Sequence, residues 1–322
     1  MEDYPRTLTE FSDRFATEEA CIAYLAALRW PDGFVCSRCA EKGGWKMSRG
    51  QFLCRRCRCQ ISVTSGTIFH QTRKPLRLWF EAMWHITNQK YGANALGLQR
   101  VLDLGSYHTA WRWLHRLRRA MVRPNRERLQ GIVEVDETYV GGARPGKRGR
   151  GADNKVLVIV AVEDTAVETG KQGMGRIRLS RVLDASAASL LPFIERNIQG
   201  GSRVRIDGWT GYASMSAAGY DHAVVESKNI VITHLAVSLL KRWLLGTYQG
   251  AVKAHQLDYY LDEFTFRFNR RTSASRGKLF YRLVQQSVNS DPVPGHEIVG
   301  SSSIKKSEPA TLSLQDANEI EF

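Results

Sequence analysis

The chain has 322 residues, 43% hydrophobic and 24% charged, the make-up of an ordinary globular protein with room for two or three domains. Its net charge of +14 and pI of 9.7 point to a polyanionic partner, nucleic acid first. No stretch reaches the ~18 to 20 apolar residues of a membrane span, and the polar start Met-Glu-Asp-Tyr-Pro-Arg carries no secretory signal, so the expected location is the cytoplasm, on the nucleoid.

Residues 1–30 predict an N-terminal helix. Thr17-Glu18-Glu19-Ala20 places acidic residues in a first turn, Ile22, Leu25 and Leu28 form a stripe, and Trp30-Pro31 ends it. Cys21 reads as a small buried apolar residue. Residues 31–70 predict a zinc ribbon. Cys36-Ser-Arg-Cys39 and Cys54-Arg-Arg-Cys57 are two knuckles separated by 14 residues, a spacing that suits a tetrahedral, closed and therefore structural Zn²⁺ site. Cys59 is a competitor for the fourth place. The apolar runs around Trp45 and Phe52 predict paired strands, and Ile61 to Phe69 a closing hairpin. Arg38, Arg55, Arg56 and Arg58 surround the knuckles and suit phosphate contact.

Residues 71–124 change to a helical period. Leu76, Trp79, Phe80, Met83 and Trp84 make one apolar face after Pro75, and a second helix falls near Ala93 to Leu102. After the turn Leu104-Gly105-Ser106, a third helix covers Thr109 to Met121. It has Ala110, Trp113, Leu114 and Leu117 inward, and Arg112, Arg116, Arg118 and Arg119 elsewhere. This pattern fits a helix-turn-helix, with Tyr107, His108 and Arg112 facing bases, or a plain helical bundle with a solvated basic face.

Beyond a polar linker, Ile132 to Gly142 alternates Val133 and Val135 with Glu134 and Asp136, a strand with one apolar face. A carboxylate near the end of such a strand is costly unless exposed, paired or metal-bound, so Asp136 is a candidate metal ligand. Ala143 to Lys155 is Gly-rich and basic, either a mobile loop near substrate phosphates or a solvated surface loop. Lys155 to Val162 predicts a strand buried on both faces. Ile177 to Leu183 predicts another, Ala185 to Ile198 a helix broken or started near Pro192, and Arg203 to Ile206 a strand ending at Asp207-Gly208-Trp209. Acids at the ends of the first and fourth strands follow the pattern of ribonuclease-H-like nucleases. Thr233 to Leu245 and Ala254 to Asn269 predict helices, the first with His234, Val237 and Lys241 on one face. Residues 288–322 turn Ser-, Pro- and Gly-rich, then acidic, and read as a disordered tail.

The two knuckles, Ile61 to Phe69, Val-Asp-Glu-Thr-Tyr-Val-Gly-Gly (135–142), Asp207-Gly-Trp-Thr-Gly-Tyr212 and the block from His234 to Arg271 resemble bacterial insertion-sequence transposases. Those proteins carry an N-terminal zinc ribbon and a DDE-type ribonuclease-H-like catalytic domain. The resemblance implies an α/β catalytic domain over residues 125–287, behind the ribbon and the helical domain. It implies metal-dependent DNA cleavage and strand transfer by two-metal phosphoryl transfer, with Mg²⁺ or Mn²⁺ as the catalytic ion and a homo-oligomer assembled on DNA. Asp136 and Asp207 take the places of the metal-binding aspartates. The family's third ligand stands seven residues before a lysine; Lys241 fits that lysine and places His234 as the ligand, with Glu226 and Glu263 as alternatives. Two rival readings share these features: a zinc-ribbon DNA-binding protein without catalysis, and a nuclease that cuts without joining.

Overall fold

The computed structural model describes residues 2–123, 126–141, 155–171, 173–249, 252–299 and 319–320. They divide into two compact units, one of Met1–Arg123 with Thr272–Ile298, the other of Pro124–Arg271 with Val299–Phe322. The stretch Pro124–Arg271 of the second unit is therefore inserted in the sequence of the first.

The first unit opens with two helices rather than one, α1 (Leu8–Arg14) and α2 (Glu18–Arg29). Each starts at a threonine whose hydroxyl accepts an N–H three residues on, Thr7 from Glu10 and Thr17 from Ala20. Strands β1 (Gly44–Lys46), β2 (Gln51–Cys54) and β3 (Gln60–Ser62) form an antiparallel sheet in that order. Phe34 and Phe52 stack 5.1 Å apart with Trp30 edge-on to both, closing a small core over the cysteines. The expected hairpin after β3 is absent. The Thr67 hydroxyl donates to the Thr64 carbonyl at 2.8 Å and Gly66 adopts φ +72°, so the segment folds into turns that deliver Ile68 and Phe69 to the core.

Helices α3 (Leu76–Asn88), α4 (Ala95–Val101) and α5 (Tyr107–Ala120) follow. Trp79 of α3 stacks on Trp113 of α5 at 3.8 Å. Ala110, Trp113, Leu114 and Leu117 are buried, as their spacing predicts. The basic face of α5 is narrower than expected: Arg118 is buried, and Arg116 Nε donates to the Val293 carbonyl at 3.2 Å. Tyr107, His108, Arg112 and Arg119 remain exposed.

The second unit contains β4 (Ile132–Val140), β5 (Val156–Asp164), a one-turn α6 (Ala166–Thr169), β6 (Met174–Val182), α7 (Ala187–Asn197), β7 (Arg203–Ile206), β8 (Asp221–Val224), α8 (Val231–Tyr248) and α9 (Leu257–Phe268). Its sheet runs β6-β5-β4-β7-β8, with β4, β5 and β6 antiparallel in sequence and β4, β7 and β8 parallel. This mixed sheet with helices is consistent with a ribonuclease-H-like domain. On one face Val158, Val160 and Val162 pack with residues of α8 and α9. On the other, Val133, Val135, Ile159 and Ala161 pack with α7, which continues through Pro192 rather than breaking there. The side-chain amide of Asn269 plugs the β6 edge, accepting from Ile177 N–H at 2.7 Å and donating to Ile177 C=O at 3.2 Å.

The chain then returns to the first unit through α10 (Arg276–Ser287) and α11 (Gly295–Val299). Phe280 of α10 meets Phe11, Phe15, Phe80 and Trp84 with ring centroids 5.4 to 5.7 Å away. Gly277 permits close approach of the N-terminal segment, since a Cβ there would fall 1.7 Å from the Pro5 carbonyl oxygen. Residues 272–287, expected within the catalytic domain, thus pack in the first unit. Residues 288–299, expected to be disordered, include α11 and bury Val293 and Ile298. The Gly-rich run at 143–154 and the rest of the expected tail, apart from 319–320, lie outside the described residues.

Candidate functional site

The first unit gathers the sulfurs of Cys36, Cys39, Cys54 and Cys57 within 4.8 Å of one another. The pairs Cys36–Cys57 and Cys39–Cys54 are each 3.6 Å apart. Four thiolates at the usual Zn–S length around one ion span edges of about 3.8 Å, so the set has the size of a zinc site. Each knuckle is closed in the same way. The residue after its second cysteine is left-handed, Ala40 and Arg58 both at φ +57°, and returns its N–H to the first cysteine's carbonyl at 2.9 and 3.1 Å. Cys59 stands outside this set and accepts from Arg38 Nη1 at 2.8 Å.

The second unit builds its site from three elements. Glu134 and Asp136 alternate onto the face of β4 away from Val133 and Val135. Strand β7 lies parallel beside β4, with Ile132 next to Arg203 and Glu134 next to Arg205. Asp207 follows the last residue of β7, near enough for its charge to act on Asp136. Gly208 at φ +81° then turns the chain, and Asp207 Oδ1 accepts from Trp209 N–H at 3.1 Å. His234 stands in the first turn of α8, its Nε2 3.2 Å from Asp136 Oδ2. The other oxygen, Oδ1, accepts from Glu137 N–H at 2.8 Å.

The electrostatics couple these groups. Burial raises the Asp136 carboxyl above its ordinary range, helped by the Asp207 charge and opposed by the Glu137 N–H and by His234. Lys241, two turns beyond His234, is lowered by burial and by Lys155, while the Asp136 charge pulls it the other way. His234 is thus in direct contact with Asp136, and the Asp207 and Lys241 charges are felt at or from the same carboxyl. Glu226 is exposed and paired with Lys228. Glu263 is buried, with Arg267 Nε at 2.8 Å and the Tyr248 hydroxyl at 3.1 Å, as part of the helical core.

Sequence reasoning missed the supports of this cluster. Glu134, fully buried, accepts the Ile232 and Thr233 N–H groups of α8 on one oxygen, at 3.0 and 3.1 Å. Arg205 lies 3.8 Å from its other oxygen and 2.9 Å from Asp164. On the opposite face of β4, the buried Tyr212 hydroxyl donates to Glu137. Burial, then the Glu137 carboxylate, raises that phenol well above its ordinary value, so it stays a donor. The available signal was the spacing: Glu134 is two places before Asp136 on the same strand face, and Tyr212 is five places after Asp207.

Two comparisons bear on this arrangement. Residues 128–269 match the family model described as ISXO2-like transposase domain, and residues 16–60 the one described as transposase zinc-ribbon domain. The chain is 30% identical over 169 residues to an uncharacterized protein in transposable element ISH50 of Halobacterium salinarum, an alignment covering 46% of this chain and 56% of that relative. That organism is an archaeon, so restricting the resemblance to bacteria is not supported. No helix among the described residues is long and apolar enough to cross a membrane. The four-cysteine cluster fits structural zinc, and the chain is similar to a transposase zinc-ribbon domain over residues 16–60 and to an ISXO2-like transposase domain over residues 128–269.

Proposed function

We propose that this protein is an insertion-sequence transposase that cleaves DNA at the element's ends and joins them to a target. The observation that carries the reading is one contact: His234 stands 3.2 Å from Asp136 on β4, with the Asp207 charge, one residue past the parallel strand β7, acting on the same carboxyl, in a segment similar to a transposase domain. Carboxylate and imidazole are donor types a divalent cation takes, and a cation would offset the Asp207 charge that raises the Asp136 carboxyl, although among the described residues the three ligand atoms converge less closely than the four cysteine sulfurs. Asp136, Asp207 and His234 would hold Mg²⁺ or Mn²⁺. When bound, such ions supply Lewis acidity at a phosphodiester and activate the attacking hydroxyl.

The chain's own groups do the rest. Asp136 is oriented by the Glu137 N–H, and Asp207 by the Trp209 N–H, so both enter the reaction preorganised. Lys241 contacts a phosphate near the scissile bond, on the helix face that carries His234. The zinc ribbon and the exposed start of α5 bind DNA. Joining two element ends calls for more than one copy of the chain on DNA. The test is strand cleavage of DNA bearing the element's ends, with Mg²⁺ or Mn²⁺. Asp136→Ala and Asp207→Ala are each expected to lower the rate by about 10³-fold, the several kcal/mol contributed by a metal clamp; cleavage at the wild-type rate in either variant refutes the site. Joined products separate a transposase from a nuclease that only cuts.

A further inference from the structure

We infer that Glu134 is a positioning residue that sets the place of α8, and with it His234 and Lys241, against the carboxylates of the sheet. The inference rests on the metal-site reading above. The first turn of a helix leaves its N–H groups without partners inside the helix. Helix α8 is preceded by Ile230, which offers no capping side chain. Its Ile232 and Thr233 N–H groups are buried, and both are met by Oε2 of Glu134, two places before Asp136 on the same strand face. One carboxylate thus bolts the helix start to the strand that carries Asp136. His234 is the next residue after Thr233, so this bolt is one residue from the ring that reaches Asp136 at 3.2 Å. A slide of α8 by the length of one methylene would open that pairing, while the apolar contacts of α8 with the sheet, which have no directional requirement, would persist.

The chemistry separates positioning from simple cohesion. Both N–H groups use one oxygen, so the carboxamide of Glu134→Gln can present its carbonyl in the same place. Glu134→Asp keeps the charge but retracts the acceptor by one methylene. The experiment titrates Mn²⁺ into full-length protein, followed by the loss of the free-ion paramagnetic resonance signal, for wild type, Glu134→Gln, Glu134→Asp, Glu134→Ala and Asp136→Ala. Wild type and Glu134→Gln are expected to bind within threefold of each other. Glu134→Asp and Glu134→Ala are expected to bind about tenfold more weakly or worse, in the range seen when groups behind a metal ligand are changed. The same two variants should lose cleavage rate at saturating DNA with unchanged DNA affinity. Equal Mn²⁺ affinity in wild type and Glu134→Asp overturns the inference alone. If Glu134→Asp and Glu134→Ala both fail to fold while Glu134→Gln folds, the acceptor oxygen at this position is a fold element and the inference is likewise overturned. Mn²⁺ binding in wild type that Asp136→Ala leaves unchanged removes the metal-site reading, and this inference with it.

Discussion

His234 Nε2 lies 3.2 Å from Asp136 Oδ2, so a helix and a strand from distant parts of the chain present a nitrogen and an oxygen to the same point. An imidazole is a softer donor than a carboxylate, and it suits Mn²⁺ better than Mg²⁺, which prefers oxygen. Wild-type protein is therefore expected to cleave DNA faster with Mn²⁺ than with Mg²⁺. His234→Glu should move the preference toward Mg²⁺, measured as the ratio of the two rates. An unchanged ratio would remove His234 from the ligand set.

Cys57, not Cys59, completes the sulfur cluster. Cys59→Ser should retain one zinc per chain by atomic absorption, and Cys57→Ser should lose most of it. Zinc retained by Cys57→Ser and lost by Cys59→Ser would reverse the assignment.

The buried Tyr212 hydroxyl joins the loop after Asp207 to the strand of Asp136 through Glu137. Tyr212→Phe deletes that bond with little change in volume and should lower stability by about 1 kcal/mol in urea unfolding. A larger fall in cleavage rate than in stability is expected, because the bond ties together the two segments that carry the proposed ligands Asp136 and Asp207. An unchanged unfolding midpoint would show that the bond contributes nothing.

Glu163 sits where the β5–β6 register shifts, and it accepts from Arg176 Nη2 at 2.6 Å and Gln130 N–H at 2.8 Å. Burial raises its carboxyl, but the bonds from Arg176 and Gln130 outweigh this and leave it below its ordinary value. A depressed folded value means that stability is fully present above the unfolded carboxyl's value of about 4.3 and is lost as pH falls through the folded one. Glu163→Gln should therefore unfold at a lower temperature than wild type at pH 7, with the gap closing as the pH drops below about 4. A gap that stays constant down to pH 3 would show that the ion pair adds no stability.

How far these features could be read in advance depended on the range over which each is determined. The cysteine knuckles, the alternation of Val133 to Asp136 and the unbroken run to Val162 are local patterns, and each appears where its spacing predicts. Strand β8 went unread because four residues, Asp221 to Val224, carry no apolar face and gain their pairing only from β7. The hairpin expected at Ile61 to Phe69 failed because the Ser62 and Thr67 hydroxyls bond nearby backbone there, Ser62 accepting from Thr64 N–H and Thr67 donating to Thr64 C=O and accepting from Phe69 N–H. Helix α10 went unread; Leu279, Phe280, Leu283 and Val284 have helical spacing, but that spacing says nothing about which core receives them, and α10 returns to the first unit. The partner of Glu134 was hidden for the same reason: its hydrogen-bond donors stand on α8, far along the chain.

That return has a consequence for how the protein is made. The aromatic cluster of the first unit takes Phe11, Phe15, Phe80 and Trp84 from early in the chain and Phe280 from late in it. On the ribosome, the part synthesised first must wait with an open core until α10 emerges, while the inserted stretch already has every strand of its five-stranded sheet and helices α6 to α9. The middle of the polypeptide can therefore complete its folding before the beginning does, and a nascent chain released short of α10 exposes a large aromatic surface to aggregation.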